Sequence, residues 1–487
     1  MTRIEPPPPG PLVPDPPTVP AEAEADFLAG VDAAMPAFDI RPVDGPAFPE
    51  ETSVRDLRRS RRRRSEDAVG RMSLVESGGV LRWTVGGGPA PVRLRRGGRR
   101  SGGTGGVPGA GDGGAGRIVR QFKFRDLPPN AIARRLVELD GRLTPNQGLR
   151  HLSTAESTLG DVLRSDAAPP AAGRVLLLVH GTFSSAENLV AELRATDAGR
   201  TLLRDWIRGG RYDRVMAFNH PTLSTSPVLN AARLAAAFRG SRAVVDVVAH
   251  SRGGLVTRWW REWLDQREAE PGRAVLVGSP LAGTSLAAPA RLKHALDLLT
   301  NFARAMTAAA RVTGAVLPAA APIASAAAVL FGLVGRVASL GARTPLLDAG
   351  VSMIPGLDAQ SREGANDDVL ALREGIARLR PAERRDLEAR TWIVRSNFEP
   401  ESIGWRFWRV FRDPGGRALD AASDALFPGP NDLVVDTESM ADLADDHVVR
   451  RRDRILDFGT SSEVHHCSYF QQDRTIRLLR EALPPAD

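Results

Sequence analysis

One serine in this chain stands where its hydroxyl could act as a nucleophile. Residues 244–250 read VVDVVAH and predict a buried strand, and a helix-like pattern follows from Gly253. A sharp turn between strand and helix would lift the hydroxyl of Ser251 above the sheet, beside backbone N–H groups. Ala249 and Gly253 are small enough for strand and helix to approach closely. We therefore predict that Ser251 is a nucleophile and not an ordinary helix cap.

The segment VHGTF at residues 179–183 follows another predicted buried strand and could complete an oxyanion hole. The tetrahedral intermediate of acyl transfer needs two hydrogen-bond donors aimed at its charged oxygen. The backbone N–H of Arg252 is our first candidate. For the second donor we favour the N–H of Thr182, with that of Phe183 as the alternative.

Three segments together resemble the α/β-hydrolase superfamily, in its lipase-like branch. They are HGTF at 180–183, AHSRGG at 249–254 and VGSPLAGT at 277–284, and the resemblance covers about residues 170–485. It implies a serine hydrolase that cleaves esters, with a catalytic triad in the chain order serine, acid, histidine. It also implies that no cofactor takes part. No metal site is expected either, because the cluster of Asp442, Asp445, Asp446 and His447 reads as a solvated acidic loop.

The triad order that the resemblance implies places the acid after the nucleophile. The segment FPGPNDLVV at 427–435 resembles the acid loop of the family and indicates Asp432. Three other carboxylates remain open as alternatives, namely Asp436, Glu438 and Glu399, the last because it closely follows a predicted strand.

The catalytic base is expected on a loop before the last helix, where His465 and His466 are adjacent. The family tends to show a histidine, two residues and then a bulky pair, here Tyr469-Phe470, which favours His466. Only one of two neighbouring side chains can reach the serine, so His465 is the alternative. Cys467 is expected to pack and not to form a Cys–His dyad, because adjacent residues rarely reach that geometry.

Strands and helices alternate along the part of the chain that must position these residues. This alternation predicts an α/β fold with a mainly parallel sheet, which agrees with the α/β-hydrolase fold that the resemblance implies. Shorter elements precede it, with strands at 79–85 and 117–124 and a helix at 130–140. The predicted strands of the main sheet are 174–179, 214–218, 243–248, 273–277 and 391–395, and the predicted helices are 187–208, 228–239, 253–266 and 469–482.

An apolar insertion separates two of these strands. Residues 312–335 carry no charge and are long enough to span a membrane. Prolines interrupt this stretch, and a single crossing would leave the serine and the other two triad residues on opposite sides. We therefore predict that residues 285–385 form a helical cap whose apolar faces line an acyl-binding cleft or touch a lipid surface. Val329 and Leu333, four residues apart, are expected on the face that meets the acyl chain.

Composition indicates a bacterial protein without a nucleic-acid partner. The net charge is +7, but Lys123 and Lys293 are the only lysines, and abundant Arg, Ala, Gly and Pro are typical of GC-rich coding sequence. One cysteine excludes an intrachain disulfide. The first residues contain no apolar segment of the kind found in secretory signal peptides, so a cytoplasmic location is expected.

Three regions follow from these patterns. Residues 1–116 are rich in Pro, Arg and Gly and are predicted to be mostly disordered. Residues 117–487 are predicted to form the hydrolase domain with its leading strand and helix, and 285–385 the cap within it. The predicted function is ester hydrolysis of a lipid-like small molecule. A non-catalytic scaffold and an acyltransferase with the same triad are the alternatives, and the oligomeric state is left open.

Overall fold

The structure is a computed structural model that describes most of the chain from residue 117 onward and three stretches before it. The described residues are 20–43, 69–77, 79–85, 117–125, 129–154, 168–288, 291–313, 320–338, 354–362, 366–399, 427, 429–444, 447–449 and 452–483.

A small antiparallel sheet forms the beginning of the described chain. Helix α1 (Ala21–Ala34) precedes it and helix α2 (Pro129–Leu143) follows it. The four strands pair in the order β1-β4-β2-β3. Their bounds are β1 Ile40–Pro42, β2 Val69–Ser77, β3 Val80–Val85 and β4 Arg117–Arg125.

Within the stretch predicted to be mostly disordered, residues 20–43, 69–77 and 79–85 form helix and strand. Phe27, Val31 and Phe38 are buried in one core with the strands and with helices from the predicted cap. The strand predicted at 79–85 is present as β3, whereas the apolar residues of α1 are sparse in a background of Pro and Ala and show no clear helical period in the sequence. The folding of this region depends on contacts with distant residues, which composition does not report. The other residues before 117 lie outside the described residues.

A seven-stranded sheet forms the second and larger sheet, in the order β13-β10-β9-β8-β6-β7-β5. All neighbouring strands are parallel except β5, which is antiparallel to β7. The prediction of an α/β fold with a mainly parallel sheet is confirmed, and all five predicted strands are present. The strand bounds are β5 Gly148–His151, β6 Arg174–Val179, β7 Arg214–Asn219, β8 Val244–His250, β9 Ala274–Val277, β10 Thr391–Phe398 and β13 Ile455–Ser461, with a short pair, β11 Asp442–Ala444 and β12 His447–Val448, before the last.

Helices connect these strands, and two of them differ from the prediction. The predicted helix at 187–208 is two helices, because the hydroxyl of Thr196 accepts a hydrogen bond from the Gly199 N–H (3.1 Å) and starts a new one. The predicted helix at 253–266 changes to a π-helical turn at Trp259–Leu264. The helix bounds are α3 Ala186–Leu193, α4 Asp197–Arg208, α5 Pro227–Ala237 and α6 Gly253–Arg258.

The central strands are covered on both faces. Leu176 and Leu178 of β6 pack with α3 and α4, whereas Val175 and Leu177 pack with α5 and α6. Burial on both faces explains the continuous apolar runs in the sequence. The edge strands β5 and β13 lack such runs and were not predicted, since β5 is only four residues long and no residue of β13 is fully buried.

A helical segment lies between β9 and β10, where the cap is predicted. Within the described residues no helix is long and apolar enough to cross a membrane. The final helix of the chain is α12, Asp473–Ala482, and the helices between β9 and β10 are α7 Leu292–Thr313, α8 Ala320–Ala338, α9 Pro355–Asp358, α10 Asp367–Arg378 and α11 Pro381–Ala389.

The small sheet and the cap helices share both polar and apolar contacts. The backbone N–H of Trp83 on β3 donates to Asp297 Oδ1 of α7 (2.7 Å), and that of Leu81 donates to Asn301 Oδ1 (2.9 Å). The Asn301 side chain donates in return to the Leu81 carbonyl (2.7 Å). Helix α7 thus covers the edge of β3, which would otherwise expose unpaired backbone groups.

Candidate active site

The candidate site lies where the order of the main sheet reverses. From the central strand β6 the chain moves to β7 on one side, and then to β8 and its successors on the other side. Loops after adjacent strands diverge at such a point and leave a crevice at the carboxyl edge of the sheet. The loop that begins at His180 and the turn at Ser251 border this crevice. A Cβ added at Gly181 would lie 2.6 Å from the Cβ of Ser251, so only glycine fits between the two loops.

Ser251 occupies a sharp turn with a left-handed backbone, at a φ of 55°. Its own N–H donates to the Val277 carbonyl (2.8 Å), and its carbonyl accepts from the Gly254 N–H (2.9 Å). Gly253 is required by close approach, since a Cβ there would lie 2.4 Å from the Val179 carbonyl oxygen. A serine held in this rarely populated backbone region is typical of functional sites.

His466 and Asp432 form a buried pair. The His466 Nδ1–H donates to Asp432 Oδ2 (2.8 Å), which leaves Nε2 as the nitrogen that can accept a proton. The other oxygen, Asp432 Oδ1, accepts from the backbone N–H groups of Val434 (3.1 Å) and Val435 (2.8 Å). The backbone N–H of His466 donates to the Asp432 carbonyl (3.0 Å). These bonds fix the orientation of the imidazole.

The alternative acids have other contacts. Asp436 accepts from the N–H (2.8 Å) and the hydroxyl (3.0 Å) of Ser285, and Glu438 lies 3.7 Å from Arg362. Glu399 follows β10, where its backbone N–H donates to a carbonyl of β13. In the described part of the chain, Asp432 is the carboxylate that contacts His466.

His465 lies in a different environment from its neighbour. Its ring lies nearly perpendicular to the rings of Phe302 and Phe398, each at a centroid distance of 5.5 Å. Burial lowers the pKa of His465 to about 4, so the ring is neutral near neutral pH. The structure therefore places His465 among aromatic rings and His466 against the carboxylate. Burial also raises the pKa of the Cys467 thiol well above its usual range, which disfavours a thiolate nucleophile.

Two further histidines hold the backbone of the site. His250 Nε2 donates to the carbonyl of His466 (2.9 Å), and the two rings lie 4.8 Å apart. His180 Nδ1 donates to the Gly181 carbonyl (3.0 Å), and its Nε2 accepts from the His220 N–H (3.1 Å). Burial lowers the pKa of both His180 and His250 to about 3. Both rings therefore stay neutral near neutral pH.

Of the predicted oxyanion donors, Thr182 and Phe183 line the cavity that Ser251 lines, and Arg252 directly follows Ser251 in the chain. Within the described residues, no hydrogen bond uses the backbone N–H of Arg252, Thr182 or Phe183, so these donors are free for a ligand. Phe183 has a left-handed backbone, at a φ of 55°. The Thr182 hydroxyl donates to Gln360 Oε1 (3.2 Å), a contact with the insertion that the sequence did not indicate. The choice between Thr182 and Phe183 stays open.

A cavity connects the candidate residues with the cap. It holds about 820 Å³ of empty space when its mouth, which is open to solvent, is included. Ser251 and His466 both line it.

The expectation that Val329 and Leu333 meet the acyl chain is wrong, because both are buried in the core between α8 and the small sheet. The cap contributes instead Leu292, Ala295, Leu296, Leu299 and Ile323 to the wall.

Tyr469 is a part of the site that the sequence offered only as a spacing marker. Its hydroxyl donates to Asp432 Oδ2 (2.9 Å), beside the bond from His466. Burial raises the pKa of Tyr469 well above its usual range, so the phenol remains a donor. Tyr469 therefore helps to fix the Asp432 carboxylate, which in turn orients the His466 imidazole.

For the ester hydrolysis that the sequence predicts, we expect Tyr469→Phe to lower kcat/KM about ten-fold, since a lost hydrogen bond to a charged group is worth about 1.5 kcal/mol. Tyr212→Phe is the matched control, because the Tyr212 hydroxyl likewise donates to a buried carboxylate, that of Asp246 (3.0 Å). Asp246 lies near the start of β8, at the end of the strand opposite to Ser251. Both variants should lose similar stability in chemical denaturation. Equal kinetic losses would show that Tyr469 contributes only to stability.

Comparison with known proteins assigns the chain to a family without an assigned function. Residues 144–484 match the family described as Domain of unknown function (DUF7379), and the chain belongs to that family. No curated protein matches the chain.

Solved structures show only remote similarity. Lipase BlEst2 from Bacillus licheniformis, in its propeptide form, has 12% identity and a TM-score of 0.32 over 66% of this chain and 52% of its own. The match thus spans about half the length of that lipase. Lipase 1 from Pelosinus fermentans has 13% identity and a TM-score of 0.37 over 63% of this chain and 97% of its own. The Cif epoxide hydrolase from Acinetobacter nosocomialis has 10% identity and a TM-score of 0.33 over 74% of this chain and 97% of its own.

Proposed function

We propose that this protein is a serine hydrolase of the α/β-hydrolase fold that cleaves carboxylic esters. The observation that carries the proposal is the convergence on one cavity of Ser251, at a left-handed turn, and His466, bonded to the buried Asp432. This arrangement supplies a nucleophile, a general base and backbone donors for an oxyanion, which are the groups that acyl transfer requires. The chain order serine, acid, histidine agrees with the resemblance found in the sequence.

In the proposed mechanism, His466 Nε2 takes the proton of the Ser251 hydroxyl as the oxygen attacks the ester carbonyl. The N–H of Arg252 and that of Thr182 or Phe183 hold the developing oxyanion. The leaving alcohol takes the proton from His466, and an acyl-enzyme remains on Ser251. Water then attacks this ester, again with His466 as the base, and releases the acid. Asp432 keeps the imidazole in the required tautomer and stabilises its charged form.

A fluorophosphonate probe tests this proposal directly. Such a probe phosphonylates an activated serine, and peptide mass mapping of the labelled protein should place the adduct on Ser251. Heat-denatured protein is the control for non-specific reaction. Absence of the adduct, together with no turnover of any ester, would contradict the proposal and favour the non-catalytic scaffold. Addition of alcohols or amines as acceptors distinguishes hydrolysis from acyl transfer.

Within this proposal, the insertion between β9 and β10 acts as a cap that binds the acyl chain. Leu296 and Leu299 of α7 and Ile323 of α8 line the cavity. Each buried methylene contributes about 0.8 kcal/mol, so kcat/KM should increase with acyl length and then level off when the cavity is filled. The ordering of a longer chain offsets part of this gain.

We expect Leu299→Gln to lower kcat/KM for octanoate esters about ten-fold, because a polar amide would face the acyl chain. Acetate esters, which do not reach this wall, should lose less than about three-fold. Leu370→Gln makes the same change on an exposed leucine of α10 and should preserve the chain-length profile. If Leu299→Gln reduced acetate and octanoate turnover equally, the leucine would be structural and the acyl chain would lie elsewhere.

A further inference from the structure

A glutamate in the wall of the cavity is not used by the proposed mechanism. Glu192 lies near the end of α3 and is only 3% exposed. It lines the cavity together with Ser251, His466 and Cys467. Acidic side chains are almost never buried to this extent unless they are paired.

The Glu192 carboxyl has no partner in the described part of the protein. Neither a hydrogen bond nor an ion pair satisfies it there, and no arginine or lysine lines the cavity. Burial alone raises the pKa of Glu192 to about 8, so the carboxyl is mostly neutral near neutral pH. Glu187, the other acid of this helix, differs, because it is more exposed and accepts from Asn219 Nδ2 (3.4 Å).

The surroundings of Glu192 decide which ligand suits it. Buried polar groups are satisfied in nearly all proteins, so an unsatisfied one on a cavity wall can be completed by a ligand. An ammonium group would have to lose its hydration in a largely apolar cavity, which costs far more than the desolvation of a neutral hydroxyl. A neutral carboxyl can also both donate to and accept from a hydroxyl.

We propose that Glu192 is a specificity residue that exchanges hydrogen bonds with a hydroxyl group on the substrate chain held in the cavity. The favoured substrates are then esters of hydroxylated acyl chains over plain ones. This inference rests on the proposed ester hydrolysis. It adds a polar subsite to a wall that the cap makes apolar.

The test compares kcat/KM for para-nitrophenyl octanoate with that for a positional series of para-nitrophenyl hydroxyoctanoates. The wild-type protein should prefer at least one hydroxylated isomer roughly three- to ten-fold, the effect of one net hydrogen bond. Glu192→Leu should abolish this preference and raise turnover of plain octanoate, because an apolar side chain suits the plain acyl chain. Glu192→Gln, which can still form hydrogen bonds, should keep part of the preference for the same isomer.

Glu187→Gln is the matched control on the same helix and should leave the preference unchanged. Thermal unfolding of each variant checks that it is folded. If the wild type hydrolyses octanoate but shows no preference that depends on Glu192, this inference is wrong and the proposed function stands. A preference for aminoacyl chains that Glu192→Gln removes would also overturn it, since the ligand would then be a cation. No turnover of any ester would overturn both proposals.

Discussion

Replacement of Ser251 by alanine is expected to lower ester hydrolysis by about 10⁴-fold or more, the usual cost of removing a triad nucleophile. The hydroxyl is one small group at the cavity wall, and none of the hydrogen bonds of the described residues uses it, so its removal should hardly change the melting temperature. Alanine at a φ of 55° is no less strained than serine, so the turn itself should persist. Initial rates on a short ester measure the loss, and loss of the fluorophosphonate adduct should accompany it.

A serine near the other end of the same strand provides the control. Ser241 precedes β8, whereas Ser251 follows it, and the Ser241 hydroxyl donates to the Pro170 carbonyl (2.6 Å). Because Ser241→Ala removes that hydrogen bond, the variant should be less stable by about 1 kcal/mol. Its rate of ester hydrolysis should be unchanged. Retained hydrolysis in purified Ser251→Ala protein would refute the serine mechanism.

The second large effect is expected at His466. Its replacement by alanine removes both the proton acceptor and one donor to the buried Asp432 carboxylate, and it should lower kcat/KM by about 10⁴-fold. His465→Ala should lower kcat/KM far less, roughly ten-fold at most. The His465 ring packs between Phe302 and Phe398, so its removal costs mainly packing energy. The adjacent positions make the pair a matched comparison.

Rates of ester hydrolysis for the two variants, measured at equal folded fractions by circular dichroism, give the comparison. The reverse order of losses would make His465 the base. Similar losses in both variants would indicate that the loop needs both rings for its conformation and would leave no special role for His466.

The residues of the candidate site were accessible from the sequence because each belongs to a local pattern. Ser251 follows an apolar strand at a turn flanked by small residues, and strands buried on both faces leave continuous runs in the sequence. Asp432 and His466 were indicated by short segments and by their order along the chain. The structure brings these two side chains within 2.8 Å, although 34 residues separate them.

Other features depend on contacts between distant parts of the chain and were not predicted. Glu192 reads as an ordinary helix residue, since nothing local indicates that its side chain lines a cavity. Tyr469 is paired with Asp432, and Gln360 of the insertion meets Thr182 across 178 residues. The strands β5 and β13 are edge strands with mixed polarity. Val329 and Leu333 have the spacing of a helical face, but the periodicity does not say which partner that face meets.

The contacts between α7 and the small sheet have a consequence for how the chain folds. The family match begins at residue 144, yet the core of the cap is completed by residues before it, among them Phe27, Ile40 and Trp83. The region matched by the family therefore buries part of its apolar surface against residues that precede it, and we expect it to be less stable without them. The hydrogen bond between Trp83 and Asp297 closes a loop of 214 residues, and contacts of such separation form slowly. The parallel sheet, whose central strands follow one another closely along the chain, can assemble before the cap is closed over it.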